Sequence, residues 1–209
     1  MFTLYARPGS GSVSVEALLA EIGVEYRVED VLRTDDGTPP ASLLIVNPRG
    51  EIPALRLLDD SVMTESAAIM IYLADLYPTS GLAPTVGDAQ RAQYLRWMLY
   101  FASAVYMADL RYFYPERYSV DTSHASSIKA KAFEHMDRDF AIFAEDLGTK
   151  KFILGDQFSA VDIYAAMLVG WAPDIEALFA RHPNIKLHYA AVVTRTKIAP
   201  IWSRNQMPL

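Results

Sequence analysis

Short apolar runs and helical stripes take turns through residues 1–77. Residues 2–5 form a brief β-prone run. Leu18, Leu19 and Ile22 recur at helical spacing, and Gly23 supplies a stop. Val24, Tyr26 and Val28 alternate with charged residues, the pattern of a strand with one wet face. A turn-rich stretch, 35–40, leads into a short helix over Ala41–Val46. Asn47-Pro48 closes it, because the residue before a proline is disfavoured in helix. Asp59-Asp60 joins residues 54–58 to 61–63 as a hairpin. Ile69, Tyr72, Leu73 and Leu76 mark an amphipathic helix. The predicted order is β-α-β, a short α, then β-β-α. Its first half needs a crossover to a parallel strand, and the hairpin adds an antiparallel edge, giving a mixed four-stranded sheet.

After Tyr77 the texture changes. Pro78, Gly81, Pro84 and Gly87 read as a linker over residues 78–87. From residue 88 to 209 every long pattern is helical. One stripe holds Leu95, Met98, Leu99, Ala102 and Tyr106. A second holds Ile128, Phe133, Met136, Phe140, Phe143 and Leu147, and a third Ile163, Ala166, Met167 and Gly170. His182-Pro183 reads as the start of the last helix. The fold class is α+β, with a mixed-sheet domain (1–77) followed by an all-α domain (88–209).

Composition narrows the chemistry. Hydrophobic residues are 52% and charged residues 21%, an ordinary globular balance. There is no cysteine, which removes disulfides, thiolate metal sites and any cysteine nucleophile, and makes a reducing cytoplasm the default compartment. A net charge of -6 weighs against a nucleic-acid partner. The first residues lack the pattern of a signal peptide, and the apolar stretch 163–172 is too short to span a bilayer. His124, His135, His182 and His188 show no metal-ligand spacing.

Three segments have chemical potential. Arg7-Pro8-Gly9-Ser10-Gly11-Ser12 joins the first strand to the first helix. It reads either as a loop with an N-cap serine or as an anion site, since free N–H groups and the helix dipole favour a thiolate there. Any such thiol must arrive on a ligand. The Gly-Lys-Ser/Thr ending of a phosphate-binding loop is missing. In Asn47-Pro48-Arg49-Gly50-Glu51-Ile52-Pro53-Ala54-Leu55, Pro53 is either a plain edge-strand proline or a cis residue that exposes the Ile52 backbone to a peptide-like ligand. Thr64-Glu65-Ser66 is either a cap with an acidic first turn or a pocket for an amino-acid head group. Among the aromatics of the helical half, Tyr106 and Phe113 lie two turns apart, suited to an apolar substrate.

In this order, these segments resemble a bacterial cytosolic glutathione S-transferase over essentially the whole chain. The resemblance rests on the Pro-Gly-Ser turn, on Asn47-Pro48-x-Gly50-x-Ile52-Pro53-x-Leu55 and on Glu65-Ser66. It also rests on Gly155-Asp156-x-x-Ser159-x-x-Asp162-Ile163, whose Ser159 and Asp162 fit a capping box. The resemblance implies a thioredoxin-like first domain that binds glutathione and a helical domain that lines a site for a small apolar electrophile. It implies that the Ile52 backbone meets the cysteinyl part of glutathione, that Pro53 is cis, and that Glu65 and Ser66 hold the γ-glutamyl end. Arg33 or Arg49 meets the glycyl carboxylate. Gly11 stands where beta-class members carry a cysteine, so Ser10, Ser12 and Tyr5 are the candidates for activating the thiol. A homodimer is implied, with no metal and no membrane partner. A non-catalytic module binding a ligand or a protein is the alternative.

Overall fold

A computed structural model describes residues 1–34 and 37–209 of the chain. The chain forms two compact units. One comprises Met1–Thr85 with Val192–Leu209, the other Val86–Ala191.

The first unit follows the predicted order. β1 (Phe2–Ala6), α1 (Ser12–Ile22), β2 (Tyr26–Asp30), α2 (Ala41–Val46), β3 (Ala54–Arg56), β4 (Val62–Thr64) and α3 (Ser66–Leu76) succeed one another. The sheet runs β2-β1-β3-β4. β1 pairs parallel with β2, with Leu4 opposite Val28, and antiparallel with β3, with Leu4 opposite Leu55. Leu55 in turn faces Met63 of the antiparallel β4. β1 is buried along its whole length, as expected of a central strand, and its partner β2 alternates between half-buried and exposed. α1 packs beside α3, and Leu18, Leu19, Ile69 and Leu73 are sealed from solvent. α2 covers Tyr5 and Ala54 through Leu43. Of the expected turn at 35–40, Asp35 and Asp36 lie outside the described residues.

The expected boundary at residues 77 and 88 misses one feature: the end of the chain returns to the first unit. Polar anchors explain why. Buried Glu16 on α1 accepts from Arg204 (2.8 Å) and from the Asn205 amide (3.1 Å). Glu21 clasps Arg195 in a bidentate pair at 2.9 and 3.0 Å, and Lys197 donates to the Glu21 carbonyl. Such paired, partly desolvated charges are stronger than open surface pairs.

The second unit is helical throughout. It comprises α4 (Arg91–Tyr100), α5 (Tyr106–Phe113), α6 (Ala125–Leu147), α7 (Ala160–Gly170), α8 (Ile175–Arg181) and most of α9 (Pro183–Val193). α10 (Ala199–Arg204) follows α9, so the helix opened by His182-Pro183 is not the last one. The stripe expected on α4 is also rotated. Tyr94, Trp97, Met98 and Phe101 face the core, while Leu99 is 59% exposed. A π-helical turn, Phe101–Val105, joins α4 to α5. Phe133 is likewise exposed on α6, and Ala132, Met136, Phe140 and Phe143 carry that core. α7 is buried along nearly its whole length. No single helix among the described residues is long and apolar enough to cross a membrane.

At the start of α7, Asp162 reaches back to the Ser159 backbone N–H (2.8 Å) and accepts from the Ser159 hydroxyl (3.0 Å). Its other oxygen accepts from the Ile153 N–H (2.8 Å) and lies 2.9 Å from His188 Nε2. The predicted cap is thus one part of a larger buried knot joining α7, α9 and the loop before α7.

Candidate functional site

The turn after β1 is held by two serines. Gly9 takes φ +68°, the left-handed conformation glycine adopts freely. The Ser10 hydroxyl donates to the Arg7 carbonyl at 2.6 Å, and its oxygen lies 2.8 Å from Ser12 Oγ. Ser12 Oγ also donates to the Arg7 carbonyl (3.2 Å) and accepts from the Arg7 N–H (3.3 Å). Burial separates the two. Ser12 is 0% exposed, whereas Ser10 is half-buried at the mouth of α1. α1 has no acidic side chain in its first turn, so the positive end of its dipole is not neutralised there. Gly11 is the N-cap and adds no side-chain bond.

Tyr5 lies elsewhere. Its ring belongs to the core cluster with Leu43 and Ala54, and its hydroxyl accepts from Arg56 at 2.9 Å. The reason is strand alternation: on β1, Tyr5 points to the face opposite Leu4 and Ala6.

The loop before β3 is built around Asn47. This buried amide accepts from the Arg49 N–H (3.1 Å) and donates to the Glu51 carbonyl (2.7 Å). Gly50 adopts φ +65°, and a Cβ there would lie 2.5 Å from Pro39, so the loop can close only on glycine. The Ile52–Pro53 peptide is cis. Ile52 makes no backbone hydrogen bond among the described residues, which leaves its N–H and C=O open to an extended ligand. The Asn47 amide was missed as a site-building residue. Its signal was a polar residue closing an apolar helix immediately before proline.

Glu65 precedes α3 with φ +67° and ψ 103°, an uncommon conformation for a residue with a side chain. Such backbone costs on the order of 1–3 kcal/mol and concentrates at functional sites. It turns the exposed Glu65 side chain outward beside half-buried Ser66, at a helix start with no acidic first turn.

The two candidate cations differ. Arg49 makes a bidentate pair with Glu51 (2.9 and 3.3 Å). That hydrogen bonding, then the charges of Glu51 and Glu65, hold its guanidinium above its usual range, so Arg49 lies in the field of Glu65. Arg33 donates to the Gly37 carbonyl at 2.6 Å within its own loop.

On the helical unit, Tyr106 opens α5 with its ring 5.4 Å from that of Trp171. Phe113 ends α5, 48% exposed and edge-on to Tyr112 at 5.0 Å. No group of three or more metal-ligating side chains gathers among the described residues.

Comparison with known proteins gives the family. Residues 12–76 match the model of the glutathione S-transferase N-terminal domain, and 101–195 that of the C-terminal domain. The chain is 29% identical over 208 residues to the uncharacterized GST-like protein YncG of Escherichia coli K12, covering 99% of this chain and 100% of that one. It is 27% identical to glutathione S-transferase GstA of Escherichia coli O157:H7, covering 81% of each. A glutathione transferase homologue from Sulfitobacter, crystallised with bound glutathione, superposes with a TM-score of 0.88 at 28% identity over 98% of both chains. With both domain models matched in order on a mixed four-stranded sheet and a helical bundle, the chain belongs to the glutathione S-transferase family.

Proposed function

We propose that this glutathione S-transferase binds glutathione on its first unit and holds the thiol as a thiolate for attack on a small apolar electrophile. The observation that carries the reading is the half-buried Ser10 hydroxyl at the un-neutralised mouth of α1, backed by the sealed Ser12. Because Ser12 can hold the Arg7 carbonyl, Ser10 is able to turn its proton to an incoming sulfur without stranding that carbonyl. In this reading the open Ile52 backbone and the cis Pro53 take the cysteinyl segment. Glu65 and Ser66 take the γ-glutamyl end, and Arg49 rather than Arg33 meets the glycyl carboxylate. The α5 face with Tyr106 and Phe113 contacts the electrophile. A cytoplasmic homodimer is part of the proposal, and light scattering on the purified chain tests the dimer.

Free glutathione has a thiol of ordinary acidity, with a pKa of about 8.5 for such groups. A charge-assisted hydrogen bond and a helix terminus together supply roughly 2–3 kcal/mol, or about two pKa units. Binding of both reactants then contributes proximity. Titration calorimetry with glutathione, paired with ultraviolet absorbance of the bound thiolate at neutral pH, tests this. Heat of binding together with a thiolate signal is expected. Binding without the signal would favour the non-catalytic module, and no heat at millimolar glutathione would remove the reading altogether.

Replacing Glu65 with alanine should weaken glutathione binding about 10- to 100-fold, the loss of one charged hydrogen bond. The melting temperature should hardly move, because Glu65 is exposed and Ala keeps the same backbone demand. Calorimetric affinities within twofold of the unsubstituted chain would remove Glu65 from the site.

A further inference from the structure

The first acid along α1 is Glu16, one turn beyond Ser12 and about 6 Å up the helix. It is 4% exposed. A negative charge buried so near a helix start opposes the positive end of the dipole. It also repels any thiolate held there. The returning end of the chain answers that charge. Arg204 donates to Glu16 Oε2 at 2.8 Å, and the Asn205 amide donates to the same oxygen at 3.1 Å. Asn205 is buried, and its amide also donates to the Ile201 carbonyl (2.9 Å). Its backbone carbonyl borders the turn after β1: a Cβ on Gly9 would lie 3.7 Å from that oxygen. One buried residue thus bridges the Glu16 carboxylate to the turn that holds Ser10, all within the first unit.

The other charges of this unit are placed differently. Asp30 of β2 lies 4.0 Å from the second Arg204 nitrogen, on an exposed side chain that solvent screens. Glu21, in the last turn of α1, pairs with Arg195. Asp75 of α3 is exposed, and Arg7 belongs to the turn itself. The opposed action of Glu16 and Arg204 is visible at Tyr26 of β2. Burial, then the Glu16 charge, holds its hydroxyl above the usual range, and Arg204 pulls it back.

We propose that Arg204 is a positioning residue for the thiolate: by cancelling the Glu16 charge behind the turn, it leaves the positive mouth of α1 to the glutathione sulfur. This deepens the thiolate reading and rests on it. Arg204 acts through Glu16 and not on the sulfur itself. The pair therefore sets the charge behind the site, while Ser10 supplies the hydrogen bond within it. A unit charge about 10 Å away, at an effective dielectric of about 20–40, moves a pKa by roughly half a unit to one unit.

Ultraviolet absorbance of the bound thiolate, titrated against pH at saturating glutathione, reads the effect. Arg204→Leu leaves Glu16 uncompensated and should raise the thiol pKa by that amount. Glu16→Gln leaves Arg204 uncompensated and should lower it by a similar amount. The double variant removes both charges and should titrate like the unsubstituted chain, as should Arg204→Lys, which keeps the cation. A purely structural brace predicts another pattern. Loosening α1 would move the pKa the same way in both single variants, and further in the double one. Glu16→Gln keeps the side chain's shape and an acceptor for Asn205, so it carries the test even where Arg204→Leu fails to fold. A thiol pKa that Glu16→Gln raises or leaves unchanged overturns the proposal. So does a double variant no closer to the unsubstituted chain than Arg204→Leu. If glutathione on the unsubstituted chain keeps an ordinary thiol, the thiolate reading fails first and this proposal with it. If that thiol is lowered and the variants leave it unmoved, this proposal alone falls.

Discussion

Asp162→Ala should destabilise the chain by about 3–5 kcal/mol, the cost of removing one partner from a buried charged network. The carboxylate is fully buried and serves the Ser159 N–H, the Ser159 hydroxyl, the Ile153 N–H and His188 Nε2. Truncation leaves two backbone N–H groups and a histidine nitrogen facing a methyl group, with water excluded. For a chain of this size the melting temperature should fall by roughly 6–20 °C. Asp162→Asn, which keeps one acceptor and adds a donor where acceptors are needed, should fall between. Thermal unfolding followed by circular dichroism measures both. A loss under 1 kcal/mol for the alanine variant would mean that the knot is dispensable.

Ser10→Ala should raise the pKa of bound glutathione by one to two units toward that of the free thiol, because it removes a hydrogen bond to the charged form. At neutral pH the conjugation rate should fall about 10- to 100-fold, at 1.36 kcal/mol per unit. Glutathione affinity should change little, since the other contacts remain. Ser12→Ala should behave differently. It vacates a sealed position and frees the Arg7 carbonyl and N–H, so it should lower stability by about 1–2 kcal/mol as well as disturb the turn. Thiolate absorbance against pH distinguishes the two. If Ser10→Ala titrates like the unsubstituted chain and Ser12→Ala does not, activation belongs to Ser12.

Where the chain obeys simple periodicity, the sequence was enough. α2 falls on its predicted residues because a proline-bounded apolar run has few alternatives, and β3 and β4 flank Asp59-Asp60 as the hairpin pattern requires. The cis peptide at Pro53 was legible because the motif order marks it. That Tyr5 packs into a core cluster with its hydroxyl on Arg56 was not legible, because proximity to the α1 turn along the chain says nothing of which face of β1 a side chain takes. The α4 stripe failed at Leu99 because the buried face runs through the aromatics Tyr94, Trp97 and Phe101 with Met98, which leaves Leu99 on the other side of the helix. The return of the last residues to α1 depends on Glu16 and Glu21 meeting partners from Arg195 onward, pairings that no local pattern encodes.

That return has a consequence for biogenesis. α1 is braced by residues 174 and 188 positions further along the chain. Until those residues have been made, α1 carries two carboxylates without their cations. A nascent chain stalled before Arg195 should therefore be more easily cut by protease within α1 than one that extends through Arg204.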